Sequence, residues 1–102
     1  MFVGVAEIYV AIPHAASLKA KRSVVNSLKG RVRNRFPVAI SEVGDPENHR
    51  RADLAVALCG NDAGRVEETL RSVRRVVEGH AEGHVVDFVV EVVRWPVEGT
   101  AP

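Results

Sequence analysis

The residues able to do chemistry are few and scattered. "GHAEGH" brings His80, Glu82 and His84 together, and two imidazoles with a carboxylate are donors a transition metal accepts. Structural zinc takes four ligands, however, and the single cysteine, Cys59, lies in another segment. The stretch therefore reads as a flexible, solvated loop between glycines, with no metal. His49 stands beside Arg50 and Arg51, with Asp45 and Glu47 just upstream. A histidine near carboxylates can serve as a general base, but no nucleophile completes a site, so a solvated turn is expected. Cys59 closes the apolar run "ADLAVALCG", where a thiol packs as a small buried hydrophobe. One cysteine also excludes an intrachain disulfide. No P-loop, dinucleotide glycine fingerprint or nucleophile elbow occurs. The expectation is a protein that is not an enzyme and carries no cofactor.

Charge carries more information. The chain has 102 residues, 14 of them lysine or arginine, and a formal charge of +1. Half of those cations fall between Ser17 and Phe36, in "SLKAKRSVVNSLKGRVRNRF", which contains no acidic residue. At 100° per residue Lys19, Arg22, Asn26, Lys29 and Arg33 share an arc of about 80° opposite the apolar side of a helix, with Arg31 and Arg35 flanking that side. The helix dipole rationalises the last arginines but not Lys19 and Arg22, which stand at the wrong end. Lys19, Arg22, Lys29 and Arg33 are therefore the candidate contacts to RNA or another polyanion.

These residues need elements to position them. Phe2 to Ile12 alternates with period two and is a strand, ended by Pro13. Ser17 is a good N-cap for a helix whose stripe is Leu18, Val24, Val25, Leu28, Val32 and Phe36. Lys21 falls in the middle of that stripe, where its stem would cover apolar surface while the amine snorkels to water. Pro37 stops the helix, and "PVAISEVG" is a short strand leading into the polar turn "GDPENHRR". "ADLAVALCG" is a third strand. A second helix, capped by Asn61 or Asp62 and by Gly79, repeats Val66, Leu70, Val73 and Val77, with Glu67 and Glu68 expected in its first turn. The last strand, "HVVDFVVEVVR", turns Val86, Phe88, Val90 and Val92 one way and Asp87 and Glu91 the other.

The order β-α-β-β-α-β is the ferredoxin-like α+β pattern: four antiparallel strands with two helices on one face. A single domain is expected over residues 1–95, with 96–102 a flexible tail. The acylphosphatase use of this fold needs a glycine-rich phosphate cradle after strand one, and "IPHAASLKAKR" lacks it. Alternation leaves an open sheet face holding one aromatic, four carboxylates and no base. Bases could stack there only on Tyr9, and carboxylates repel phosphates, so this face does not read RNA. It is still rich in valine and alanine. Val5, Tyr9, Ala57, Val89 and Glu91 are accordingly the candidate face for a homodimer or another partner.

The segments "VGVAEIYVAIP", "SLKAKRSVVNSLKGRVRNRF", "SEVG", "GND" and "VVDFVVEVV" together resemble the YlxP-like family of small bacterial proteins. The resemblance implies the ferredoxin-like fold. It also suggests an accessory role near the ribosome, because genes of the family often neighbour those of translation and ribosome-maturation factors. Ribosomal RNA or a ribosomal subunit is then the expected partner. The family defines no catalytic residues. No apolar run approaches the ~20 residues of a membrane span, and the N-terminus contains Glu7 without a basic leader region. A cytoplasmic protein is expected.

Overall fold

The computed structural model of the chain describes residues 1–96. Its elements run β1 (Phe2–Ala11), α1 (Leu18–Arg35), β2 (Ala39–Glu42), β3 (Arg51–Gly60), α2 (Ala63–Glu78) and β4 (His84–Arg94). The four strands form one antiparallel sheet in the order β2-β3-β1-β4. The expected tail lies, from residue 97 on, outside the described residues.

Local chemistry sets the boundaries. Ser17 is extended, and its Oγ accepts the Ala20 N–H at 3.1 Å, satisfying one of the orphan donors of α1. Phe36 closes that helix by donating its N–H to the Val32 carbonyl, and Pro37 cannot extend it. Asp62 is the cap of α2, accepting the Arg65 N–H at 3.0 Å. Because α2 begins at Ala63, Glu67 and Glu68 fall beyond its first turn. They act as ion-pair partners rather than as dipole charges. Gly79 caps the far end with right-handed backbone angles, so left-handed freedom is not what selects it. Gly44 is the glycine that needs this freedom: its φ is +110°, and a Cβ there would press on the Asp53 carboxylate.

Both helices lie on one face of the sheet, α1 over β2 and β3 and α2 over β1, β3 and β4. Ile8, Val10, Leu28, Val32, Leu54, Leu70, Val73 and Val77 are completely buried between these layers. Burial of such apolar side chains is the dominant favourable term in folding. Gly4 lets α2 approach β1 closely, since a Cβ at that position would collide with Val66 and Leu70.

The β1–β4 ladder departs from simple alternation. Tyr9 pairs with Asp87 but Val10 pairs with Val85, so Val86 is bulged out of register. Val86 is 62% exposed and Val85 packs on the core, the reverse of what alternation predicts. Phe88, Val90 and Val92 keep their expected side, partly buried.

The loop after α2 is not wholly solvated. His80 is buried, and its Nδ1 accepts the Glu82 N–H at 3.1 Å. That leaves the proton on Nε2, which donates to Ser27 Oγ on α1 at 3.1 Å. Both ring nitrogens are thus occupied, Nε2 in tying the loop to α1 and Nδ1 in bracing the loop itself.

Candidate polyanion and partner surfaces

The helix face contains one interaction between ionic groups at its centre. Lys21 is only 1% exposed. Its Nζ donates to the carbonyls of Asp45 and Pro46, each at 3.2 Å, and stands 2.7 Å from Glu42 Oε2. That last contact is charge against charge, because the carboxylate oxygen lacks an aligned hydrogen bond. The amine does not snorkel to water. It joins the first turn of α1 to the end of β2 and to the β2–β3 turn. Asx-type hydrogen bonds hold that turn, Asp45 Oδ1 accepting from the Glu47 N–H and Asn48 Oδ1 from the Arg50 N–H. Glu42 was missed in sequence, yet a signal was present: with Val38 and Ile40 inward, alternation turns Glu42 inward too, opposite a lysine at a core position of α1.

Among the described residues, most exposed cations of α2 are ion-paired and those of α1 are not. Arg65, at the start of α2, is the exception, with no ion pair among the described residues. On α2, Arg71 pairs with Glu67, Arg74 with Glu78 and Arg75 with Glu68. On α1, Lys19, Arg22, Lys29, Arg31, Arg33 and Arg35 have no ion-pair partner among the described residues. Lys19, Arg22 and Arg33 are exposed and Lys29 is half-buried. Arg33 has a second task, since its Nη2 donates to the Ile40 carbonyl of edge strand β2 at 3.0 Å. That bond occupies an edge acceptor that another strand would otherwise use.

The strand registers lay out the open face in rows. Ala39, Ala57, Val5 and Glu91 form one, Ser41, Ala55, Glu7 and Val89 the next, and Asp53, Tyr9 and Asp87 a third. Small side chains over β2 and β3 leave a depression of about 450 Å³ that contains all five expected residues, Val5, Tyr9, Ala57, Val89 and Glu91. Val5 is 47% and Val89 54% exposed. Two expectations fail on this face. Cys59 is exposed rather than buried, because its position on β3, opposite Val3, turns it away from the helices. A base is also present: the Arg51 guanidinium lies 5.3 Å from the centre of the Tyr9 ring and pairs with Asp53 at 2.8 Å. Set against Glu7, Asp53, Asp87 and Glu91, it leaves the face strongly acidic.

The Tyr9 hydroxyl donates a short hydrogen bond to Glu7 Oε2. That bond is the largest cause holding its pKa above the usual 10.0, followed by partial desolvation and by the charges of Glu7, Asp53 and Asp87. His84 lies in the next row, beside Ala11, with an exposed side chain. His49 is half-buried in the turn, and His80 is occupied as described. The structure brings none of these histidines together with Cys59.

Four antiparallel strands in this order, with two helices on one face, define a ferredoxin-like α+β domain. The family model described as "Protein of unknown function (DUF503)" matches residues 3–90, and the chain belongs to that family. It is similar to a Bacillus subtilis (strain 168) protein described as "Uncharacterized protein YlxP", at 32% identity over 80 residues. The match covers 78% of this chain and 87% of the relative. The YlxP-like resemblance is thereby borne out. No helix among the described residues is long and apolar enough to cross a membrane.

Two measurements test this geometry. Lys21→Met should cost roughly 3 kcal/mol in urea unfolding, because it leaves Glu42 and two carbonyls facing an apolar group. Lys21→Met with Glu42→Leu should recover most of that loss, and strictly additive losses would refute the coupling. Tyr9 is the sole tyrosine of the chain, so its titration can be followed by tyrosinate absorbance. The midpoint should lie above 10 and fall toward it in Glu7→Ala. A raised folded-state pKa stabilises the fold fully below the ordinary tyrosine range, and the contribution fades as pH rises through the raised midpoint.

Proposed function

We propose that the domain is a non-enzymatic cytoplasmic binding protein that contacts a polyanion, ribosomal RNA foremost, through the basic surface of α1. The observation that carries this reading is the row of cations on α1 without ion-pair partners among the described residues, beside a second helix whose Arg71, Arg74 and Arg75 are each neutralised within α2. A helix shaped only for solubility would mix both signs, as α2 does. Lys19, Arg22 and Lys29 would contact phosphates. Arg33 would add charge while keeping its bond to the Ile40 carbonyl. Contacts to phosphate are largely independent of sequence and sensitive to salt. Ribosomal RNA is favoured among polyanions by the resemblance to the YlxP-like family. The acidic sheet face would repel the same ligand, which gives the molecule a polarity for docking.

The depression on that sheet face favours a second reading, a homo-oligomeric interaction adaptor without a nucleic-acid role. Exposed Val5 and Val89 beside Ala57 offer apolar area that a second copy would cover. The two readings separate experimentally.

Binding of the purified protein to small and large ribosomal subunits should weaken steeply between about 50 and 200 mM salt. Arg22→Glu with Lys29→Glu should lower the log–log salt slope by about two. A wild-type slope near zero would remove the RNA reading. Under the second reading Val89→Arg should convert a dimer to a monomer in sedimentation while no subunit binding occurs, and a wild type that sediments as a monomer would dismiss it.

A further inference from the structure

The cations of α1 are not all on its outward row. Arg31 and Arg35 lie on the other flank, and with Asn34, Phe36, Ser72 and Arg75 they line a cleft of about 710 Å³ between the C-terminal halves of the two helices. We propose that this cleft is a phosphate-binding subsite, for the phosphodiester groups of an RNA strand or for a free oligophosphate. The inference rests on the reading of α1 as a polyanion-contacting helix and assigns it a built site.

Three observations carry it. Arg31 and Arg35 are one helical turn apart and repel each other, with neither an ion pair nor a side-chain hydrogen bond to relieve them among the described residues. Arg75 faces them from α2 already oriented, its Nη2 held by Glu68 at 3.0 Å and by Ser72 Oγ at 2.7 Å. Phe36 lines the same cleft under the Arg35 guanidinium, 5.8 Å from its centroid. Planar guanidinium groups present paired donors that match phosphate oxygens, and an amide and a hydroxyl add further hydrogen-bonding capacity. A half-buried aromatic gives a base a face to stack on. Two helix C-termini oppose an anion with roughly half a negative charge each. Three full positive charges outweigh them, even after Glu68 is counted against Arg75.

Amide NMR of the full chain separates the cleft from the outward row, because Ser72, Val76 and Gly79 line the cleft from α2. Two probes are titrated, a twelve-nucleotide oligouridylate and inorganic pyrophosphate. Shifts at these three amides with both probes assign the cleft to phosphate groups as such. Shifts with the oligonucleotide alone assign it to a strand. In parallel, Arg31→Gln with Arg35→Gln should weaken oligouridylate binding about tenfold or more, beyond the loss in Arg22→Gln with Lys29→Gln, which removes the same charge from the same helix. Equal losses in the two variants, or α2 amides silent to both probes, overturn the subsite. If the oligonucleotide binds and only the outward-row variant loses it, the subsite fails while the function proposed for α1 stands. If the wild type binds no RNA at low salt, that function fails, and the pyrophosphate response decides the cleft by itself.

Discussion

The buried Lys21 ammonium is the constraint around which the rest of the domain is arranged. Removing such a charge from water costs several kcal/mol, and a pair of opposite charges in the interior recovers this only with good geometry. The required geometry depends on three separate pieces of chain. Glu42 must end β2 on the helix side, the turn must present the carbonyls of Asp45 and Pro46, and α1 must begin early enough to bring Lys21 above both. An apolar residue would fill the position at lower cost. What the ionic pair supplies is position. β2 is only four residues long and sits at the sheet edge, so its ladder alone specifies register weakly. The Lys21 contacts fix where β2 stops and where the turn lies against α1. The Arg33 bond to the Ile40 carbonyl holds the same strand from further along the helix.

Once α1 is pinned at that edge, the distribution of charge follows. The inward stripe Val24, Val25, Leu28 and Val32 is buried, and the outward row carries cations. The second helix has the same layering and the opposite electrostatic policy, with each acidic residue of its exposed face used against an arginine. The tools were therefore available to neutralise α1, and they were not used there. Exposed pairs of this kind contribute only ~0.2–1 kcal/mol each. Leaving them out costs little stability, and it leaves a field directed to one side.

Much of this was legible in the sequence. The element order, the cap at Ser17, the core stripes and the basic helix all follow from period, proline placement and residue type. The five residues of the open depression follow too, because strand alternation holds along β1, β3 and most of β4. The failures have distinct physical sources. Val85 and Val86 exchange roles because a bulge is a property of two paired strands, invisible when β4 is read alone. Cys59 lies in an apolar run, but its strand parity, not its chemistry, decides exposure. Read from Ala52, the strand leaves Arg51 in the turn, whereas β3 begins one residue earlier and brings it over Tyr9. His80 looked like loop polarity and is a buried tie to Ser27, which only the approach of the loop to α1 reveals. Lys21 and Glu42 were each odd at a core position, and the two oddities explain one another.

The formal charge of +1 therefore describes no part of the surface. The helix side is basic at α1 and nearly balanced along α2, where, among the described residues, Arg71, Arg74 and Arg75 are paired and Arg65 is not. The sheet separates it from an acidic apolar face. The domain is 20 to 23 Å across its two shorter axes, more than twice the screening length of about 8 Å at physiological ionic strength. Charges on the two sides thus interact weakly through solvent, and occupancy of one side changes the field at the other only slightly. A polyanion on α1 and a protein against the sheet would be compatible ligands rather than competitors. Nothing in the packing forces a choice between them, since the Lys21–Glu42 pair belongs to neither surface and Arg33 can hold β2 through the Ile40 carbonyl while its charge faces a ligand.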